Sequence, residues 1–219
     1  MKKGLLVFSV ALLLAALVPQ AVAAAVDIDL GVKGGVSLAK LKWSDDTEAS
    51  SNLTQPVFGV FAAFNLNKSF AIQPEIYLLT QGGTFSSEAE IGILESVDLF
   101  EYKSFYRYIH VPILAKVRLM PNEKLNPIIF AGPAVDFLLS AHDKYYINGV
   151  FEGDEDVKQD LKTTNFGLVF GAGVEYMMDK VMLILDVRYD MGLADINAVT
   201  MGSYTLKTKT LMFMAGVGF

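Results

Sequence analysis

The chain has no cysteine, only two histidines and a single tryptophan among its 219 residues. Without cysteine it cannot form disulfides, thiolate metal sites, a cysteine nucleophile or the lipidated cysteine of a bacterial lipoprotein. Charged residues are also scarce, at 19%, and acids exceed bases by six, which disfavours binding to nucleic acid phosphates. With 53% hydrophobic residues, the chain is too apolar to be disordered. The length leaves room for one large domain or two small ones.

The first residues have the order of a secretory signal peptide. Two lysines precede an uncharged apolar stretch from Leu5 to Val18, and the small residues Ala21-Val22-Ala23 follow it as a cleavage site. An uncleaved membrane anchor is the alternative, but the break at Pro19-Gln20 favours cleavage. We therefore predict a signal peptide at 1–23.

After residue 26 the chain lacks any uncharged apolar run near the roughly 20 residues of a membrane-spanning helix. Apolar residues alternate instead: every second residue from Phe166 to Tyr176 is apolar, while the other face carries mostly glycine and polar residues. Alternation with period 2 indicates β-strands with two different faces. The predicted strands lie at about 26–39, 56–66, 69–82, 102–119, 127–140, 163–177, 181–193 and 206–219.

The connections between these strands alternate between long and short. The connections at about 67–68, 120–126 and 178–180 are short, and the four others are long. Bacterial outer-membrane barrels have short periplasmic turns, longer external loops and an even number of strands. The sequence therefore predicts an all-β fold, an eight-stranded antiparallel up-and-down transmembrane β-barrel formed by residues 24–219 in the bacterial outer membrane.

The polarity of the two faces separates a membrane barrel from a soluble one, such as a lipocalin. A soluble barrel turns a dense polar face to water, whereas the polar face here is sparse, rich in glycine and marked by isolated charges. Such residues suit the narrow lumen of eight strands, where buried charges must pair. The residues predicted to form this structural charge network are Lys33, Glu75, His110, Lys116, Arg118, Asp136, Glu175, Asp186, Arg188 and Asp190.

One pairing within the network can be stated more closely. Glu175 and Asp186 lie on neighbouring predicted strands and face the same side. We expect them to share Arg118 or Arg188 as a counter-charge, since an unpaired buried charge is strongly destabilising. A charged conduit through the lumen is the alternative, but eight strands leave little free cross-section.

Two further expectations concern the outer surface. Arg107 falls in the lipid-facing register, so we place it at the external rim, because a charge at the bilayer midplane costs roughly 2 to 4 kcal/mol. Aromatic residues near strand ends are predicted to form interfacial girdles. These residues are Phe70, Tyr102, Phe105, Phe137, Tyr145, Tyr146, Tyr176 and Phe219.

Several segments, in order along the chain, resemble outer-membrane β-barrel proteins of the PorT type. They are Gly31-Val-Lys-Gly-Gly-Val-Ser-Leu, Gln73-Pro-Glu-Ile-Tyr, Gln81-Gly-Gly, Tyr108-Ile-His-Val-Pro-Ile-Leu-Ala-Lys, Pro127-Ile-Ile-Phe-Ala-Gly-Pro, Gly167-Leu-Val-Phe-Gly-Ala-Gly-Val-Glu and Arg188-Tyr-Asp-Met-Gly-Leu-Ala-Asp-Ile. The resemblance implies an eight-stranded outer-membrane barrel and makes secretion-system proteins possible partners. The family commonly has Glu where this sequence has His110. The final Phe219 is similar to the strand signal that the barrel assembly machinery reads.

No catalytic, cofactor or metal site is predicted. His110 has no serine at a neighbouring register, His142 lies in an acidic stretch, and two histidines this far apart make a poor zinc site. The acidic external loops lack the ligand spacing of an EF-hand. We expect a non-enzymatic monomer among outer-membrane lipid and lipopolysaccharide, acting through external loops or protein partners. Secretion assistance or narrow transport is the alternative, and lipid A modification is the third hypothesis.

Overall fold

The computed structural model describes residues 27–43, 50–91, 96–198 and 205–219, so the predicted signal peptide lies outside the described residues. The described residues contain one 3-10 turn, Lys158–Asp160, and no helix with the length and apolarity needed to cross a bilayer. The strands are β1 (Asp27–Trp43), β2 (Leu53–Asn65), β3 (Phe70–Ile91), β4 (Ser96–Arg118), β5 (Leu125–Ile147), β6 (Val150–Asp156), β7 (Thr164–Met178), β8 (Val181–Gly192) and β9 (Leu206–Gly218).

Eight of these nine strands close into a ring. Each strand from β1 to β5 pairs antiparallel with the next, β5 continues to β7, β8 and β9, and β9 pairs with β1. A closed ring leaves no strand edge, so every backbone group in the hydrocarbon has a partner. The predicted eight-stranded antiparallel barrel is confirmed.

The two ends of the barrel differ in how the strands are connected. Three short turns, at 66–69, 119–124 and 179–180, lie at one end, where β1 begins and β9 ends. By the convention of outer-membrane barrels this is the periplasmic end, and the other connections, together with the outer parts of β3, β4 and β5, are external. The external connections thus lie outside the bilayer, where they can form an exposed surface.

Three strands run much further beyond the barrel rim than the sequence predicted. β3, β4 and β5 extend to Ile91, Ser96 and Ile147, through stretches predicted as loops. A ninth strand, β6, pairs with the outer part of β5 after a two-residue turn at Asn148 and Gly149, both with positive φ. Outside the bilayer a strand needs no apolar face, so hydrophobic alternation fades while the backbone pairing continues.

The outward face is apolar and the inward face holds the charges. Leu185 and Phe170 are 60% and 45% exposed, whereas Glu175 and Arg188 are each 1% exposed. Lipid would therefore contact the aliphatic and aromatic side chains of alternate positions along every strand. The interior also contains apolar residues, such as Met182, so the residues that interrupt the polar face in the sequence form apolar layers inside the barrel.

Glycines facing the lumen make room for large aromatic rings on the neighbouring strand. The pairs are Gly31 with Phe61, Gly59 with Tyr77 and Gly171 with Phe130. A Cβ atom on Gly59 would lie 2.5 Å from Tyr77 Cδ1 and would collide with the Ile76 carbonyl oxygen. The rings can pack across the narrow lumen because their partners lack a side chain.

We expect Gly59→Ala to lower the stability of the barrel by about 1 to 3 kcal/mol, because the added methyl group must displace the ring of Tyr77 and the backbone of β3. Gly34→Ala is the matched control, since its nearest neighbour would be the Val57 carbonyl oxygen at 3.7 Å. Urea unfolding, followed by the loss of the heat-modifiable band on gels, measures both variants. Equal midpoints for the two variants would contradict this account of the lumen.

Candidate functional site

Four ionic side chains meet in the middle of the lumen, in what we call the central cluster. Lys33 Nζ lies 3.2 Å from Glu75 Oε1 and 2.9 Å from Asp186 Oδ2. Arg188 donates to Glu75 Oε2 at 2.5 Å and to both carboxylate oxygens of Asp186 at 2.9 Å. Two cations therefore balance two anions across β1, β3 and β8, which do not neighbour one another in the ring.

Aromatic rings enclose the cations of the central cluster. The Arg188 guanidinium lies 5.0 Å from the centre of the Phe130 ring and 5.4 Å from that of Tyr77. Lys33 Nζ lies 5.1 Å from the Phe61 ring centre. These are the rings that pack over the interior glycines, so cation–π attraction adds to the ion pairs where the side chains are shielded from bulk solvent.

A second group of charges, the periplasmic cluster, lies near the short turns. Glu175 accepts hydrogen bonds from Lys116 at 2.6 Å and from Arg118 at 2.7 Å. Arg118 also donates to Asn65 at 2.8 Å and to Asp29 at 3.2 Å. The guanidinium thus joins four strands at the lower end of the barrel.

A third group, the upper cluster, lies on the external side of the central cluster. His110 Nδ1 lies 2.5 Å from Asp136 Oδ1 and 3.8 Å from Asp190 Oδ2. Asn165 donates to Asp136 at 3.2 Å and Gln81 to Asp190 at 3.1 Å. His110, Asp136 and Asp190 offer ligand atoms within 4.8 Å of one another, a set that could hold a divalent metal.

All ten residues of the predicted charge network point into the lumen. Nine of them are buried and Arg118, next to the periplasmic rim, is partly buried. The expected sharing of one arginine by Glu175 and Asp186 is wrong: Glu175 pairs with Arg118, and Asp186 pairs with Arg188. Asp186 lies opposite Gly173, two residues further into the barrel than Glu175, so each carboxylate meets its own cations.

Two segments pack over the external mouth and close it. Leu161 bridges to Asn197, and Lys162 donates its backbone N–H to the Ile196 carbonyl oxygen at 2.7 Å. The side chains of Leu161 and Ile196 are buried in an apolar cluster at the top of the barrel. The lumen is thus covered at the external side by two loops joined through backbone hydrogen bonds.

Asp195 fastens the second of these loops. Its Oδ1 accepts hydrogen bonds from the backbone N–H groups of Leu206 at 2.8 Å and Asn197 at 3.2 Å. Burial alone would raise the pKa of this carboxyl, but the two N–H groups and the nearby Lys162 ammonium hold the pKa of Asp195 below its usual value. The charged form therefore anchors the loop.

Beside the closed mouth lies a cavity of about 290 Å³, which we call the external cavity. It opens between the extended β4–β5 region and the loops described above. Its walls are the aromatic residues Trp43, Phe85, Tyr102, Tyr106 and Tyr145, the acidic residues Asp143, Glu155 and Asp160, and the remaining residues Leu41, Ser104, Val157, Leu161, Asn197 and Leu206.

The external cavity contains residues that sequence reasoning assigned elsewhere. Tyr102 and Tyr145 were predicted in an interfacial girdle, but both line the cavity. Tyr102 shares its side with His110 by alternation along β4, so this could have been found from the sequence. Tyr145 could not, because a bulge opposite Arg107 shifts the register of β5 and turns the following residues to the other face.

The outer surface carries two groups of basic residues near the external end. Arg107 is exposed on the outer face, opposite Ser140, in the outward register that was predicted for it. Four lysines also point outward from β1 and β9, where Lys40 lies opposite Lys209 and Lys42 opposite Lys207. We call these four residues the lysine ladder.

Replacing Arg188 by Met should lower stability by about 3 to 5 kcal/mol, because two buried carboxylates would then depend on Lys33 alone. Lys103→Met is the control: this lysine pairs with Glu101 at 3.1 Å on the surface, and its loss should cost less than about 1 kcal/mol. Urea unfolding midpoints measure both. An Arg188→Met protein as resistant to urea as the parent would contradict a stabilising role of the central cluster.

Comparison with known proteins places the chain in a family. The outer membrane protein beta-barrel domain family matches residues 22–198. No curated protein matches the sequence. Among solved structures, Neisserial surface protein A is 13% identical, with 86% of this chain and 95% of that chain covered and a TM-score of 0.48. OprG from Pseudomonas aeruginosa is also 13% identical, with coverages of 87% and 95% and a TM-score of 0.44.

A third solved structure is Ail of Yersinia pestis in complex with the heparin analogue sucrose octasulfate. It is 14% identical, covers 88% of this chain and 99% of that chain, and has a TM-score of 0.42. Since the family match extends over most of the chain, this chain belongs to the outer membrane protein beta-barrel domain family and resides in the bacterial outer membrane.

Proposed function

We propose that this protein is a closed, non-enzymatic barrel that acts at the external surface of the outer membrane. The observation that carries the proposal is the filled lumen. The central cluster spans the interior with side chains that are at most 4% exposed, and apolar layers lie on both sides of it. An eight-stranded barrel has only enough width for side chains to fill, so the structure favours a role at its ends rather than passage through it.

The surroundings of the two histidines argue against a role for either as the base in acyl transfer. His110 is fully buried and its Nδ1 is engaged by Asp136. His142 lies on the outer face of β5, and its Nδ1 is 2.9 Å from Asp154. Within the described residues no hydroxyl group is hydrogen-bonded to either imidazole, so neither histidine has the nucleophile that this chemistry needs.

The lysine ladder supports a location among lipopolysaccharide molecules. Like charges directly opposite each other on neighbouring strands are destabilising, and Lys40 and Lys209 form such a pair in the ladder. Anionic groups at the membrane surface would relieve this repulsion and contribute about 1 kcal/mol per lysine. Lipopolysaccharide presents phosphates at that level, whereas the lipid tails below it would meet the apolar face.

The finer assignment to the PorT type remains a proposal within the family. It depends on the ordered segments of β1, β3, β4, β5, β7 and β8. His110, where the PorT type commonly has Glu, lies beside Asp136 and Asp190, so this position retains a polar partner in the lumen. A role in assisting secretion would have to use the external loops or the rim rather than the closed interior.

Planar lipid bilayers containing the refolded protein should show no single-channel conductance steps, because the central cluster and the apolar layers leave no continuous aqueous path. A general porin measured in the same bilayers is the positive control. Stable, protein-dependent steps in salt solution would contradict the closed barrel and would favour narrow transport.

Purified lipopolysaccharide should raise the thermal stability of the protein in detergent micelles. The double variant Lys40→Gln/Lys207→Gln should lose about 1 kcal/mol of this gain for each lysine removed. Lys124→Gln/Lys180→Gln, which removes the same charge from the periplasmic turns, is the matched control. Equal stabilisation of both variants would contradict recognition by the ladder.

A further inference from the structure

The external cavity has an acidic and aromatic lining. Three carboxyl groups and five aromatic rings surround it, and no lysine or arginine is among the described residues that line it. Two basic residues of the strands that line it face outward: Lys103 Nζ is 3.1 Å from Glu101, and Lys144 Nζ is 3.9 Å from Asp154. The described walls of the cavity therefore offer acidic groups but no basic side chain that could neutralise them.

Asp143 lines this cavity, and one of its carboxylate oxygens has no hydrogen-bond partner among the described residues. Its side chain is buried, at 3% exposure, and Oδ2 accepts a hydrogen bond from the Tyr102 hydroxyl. Asp143 Oδ1 and the neighbouring Ser104 Oγ have no hydrogen-bond partner among the described residues. A buried carboxylate oxygen without a partner costs free energy that a bound cation would recover.

The aromatic walls distinguish among the cations that could enter. Tyr102 lies between two other rings, with centroid distances of 6.0 Å to Phe85 and 5.1 Å to Tyr145. A Ca²⁺ ion requires six to eight oxygen ligands, which apolar walls such as Leu41 and Leu206 cannot supply. An organic ammonium group instead gains from ring faces as well as from a carboxylate.

We propose that the external cavity binds a small organic cation of the ammonium class, with its charged nitrogen against Asp143 and its carbon groups among the tyrosine, phenylalanine and tryptophan rings. This deepens, and rests on, the proposed function of a closed barrel acting at its external end. The volume of about 290 Å³ lies just below the usual range for small-molecule sites, so the ligand is compact.

Trp43 allows a direct test, because it is the only tryptophan of the chain and lies in the cavity wall. Choline is the probe, and 3,3-dimethylbutan-1-ol, which has the same shape without the charge, is the neutral comparison. We expect choline to change the Trp43 fluorescence of the full-length protein in micelles saturably, at concentrations up to about 10 mM, and the neutral alcohol to bind about tenfold more weakly.

Variants of single carboxylates then show which one contributes to choline binding. Asp143→Asn should weaken choline binding by about tenfold, whereas Asp154→Asn, an exposed carboxylate of β6 outside the cavity, should leave it unchanged. Each variant is first checked for a heat-modifiable band. If Asp143→Asn does not fold, Glu155→Gln in the cavity wall and Glu152→Gln outside it form the second pair, with weaker binding expected only for the first.

Three results would overturn the inference: no saturable fluorescence change, equal binding of the neutral alcohol, or an equal loss of binding in the control variants. None of these bears on bilayer conductance. A barrel that conducts no ions but does not bind choline would therefore refute the cation site and leave the closed barrel intact.

Discussion

The structure depends on one constraint: in hydrocarbon, every backbone N–H and C=O group must find its partner within the protein. Eight strands meet it by closing β9 onto β1, which removes all edges. Closure at this strand number also sets the width of the lumen. The narrow lumen then determines which side chains the inward positions can hold and shields their charges from bulk solvent.

Because the lumen is shielded from bulk solvent, the charged side chains inside the barrel lie in contact with one another. The central cluster joins Lys33, Glu75, Asp186 and Arg188 with no net charge, and Lys116 and Arg118 neutralise Glu175 and Asp29 at the periplasmic end. Rings packed over glycines fill the space between them. The ion pairs across the lumen connect strands that are not adjacent in the ring and so stabilise the barrel. Because the lumen is filled, the external end is where function can reside.

Above the rim the constraint no longer applies, and the chain behaves differently. β4 and β5 continue as a polar ribbon, β6 joins them, and two loops cover the mouth around Leu161 and Ile196. There a buried carboxylate, Asp143, and several aromatic rings surround the external cavity, whereas the lumen below is filled with side chains. The cavity, together with the lysine ladder beside the membrane surface, connects the fold to its proposed role at the cell exterior.

The sequence by itself determined the number of strands in the barrel, the two faces, the three short turns at one end and the inward position of charges such as Glu175 and Arg188, because hydrophobic alternation reports directly on lipid contact. Local sequence also contained the Asn148-Gly149 turn signal, although the hydrophobic pattern did not reveal the strand after it. Only the tertiary structure decided which charges pair and that Tyr145 turns into the cavity. Which charges pair across the lumen depends on the stagger of the strands. The bulge in β5 reverses the faces of the residues beyond it. Neither feature can be read from the local hydrophobic pattern.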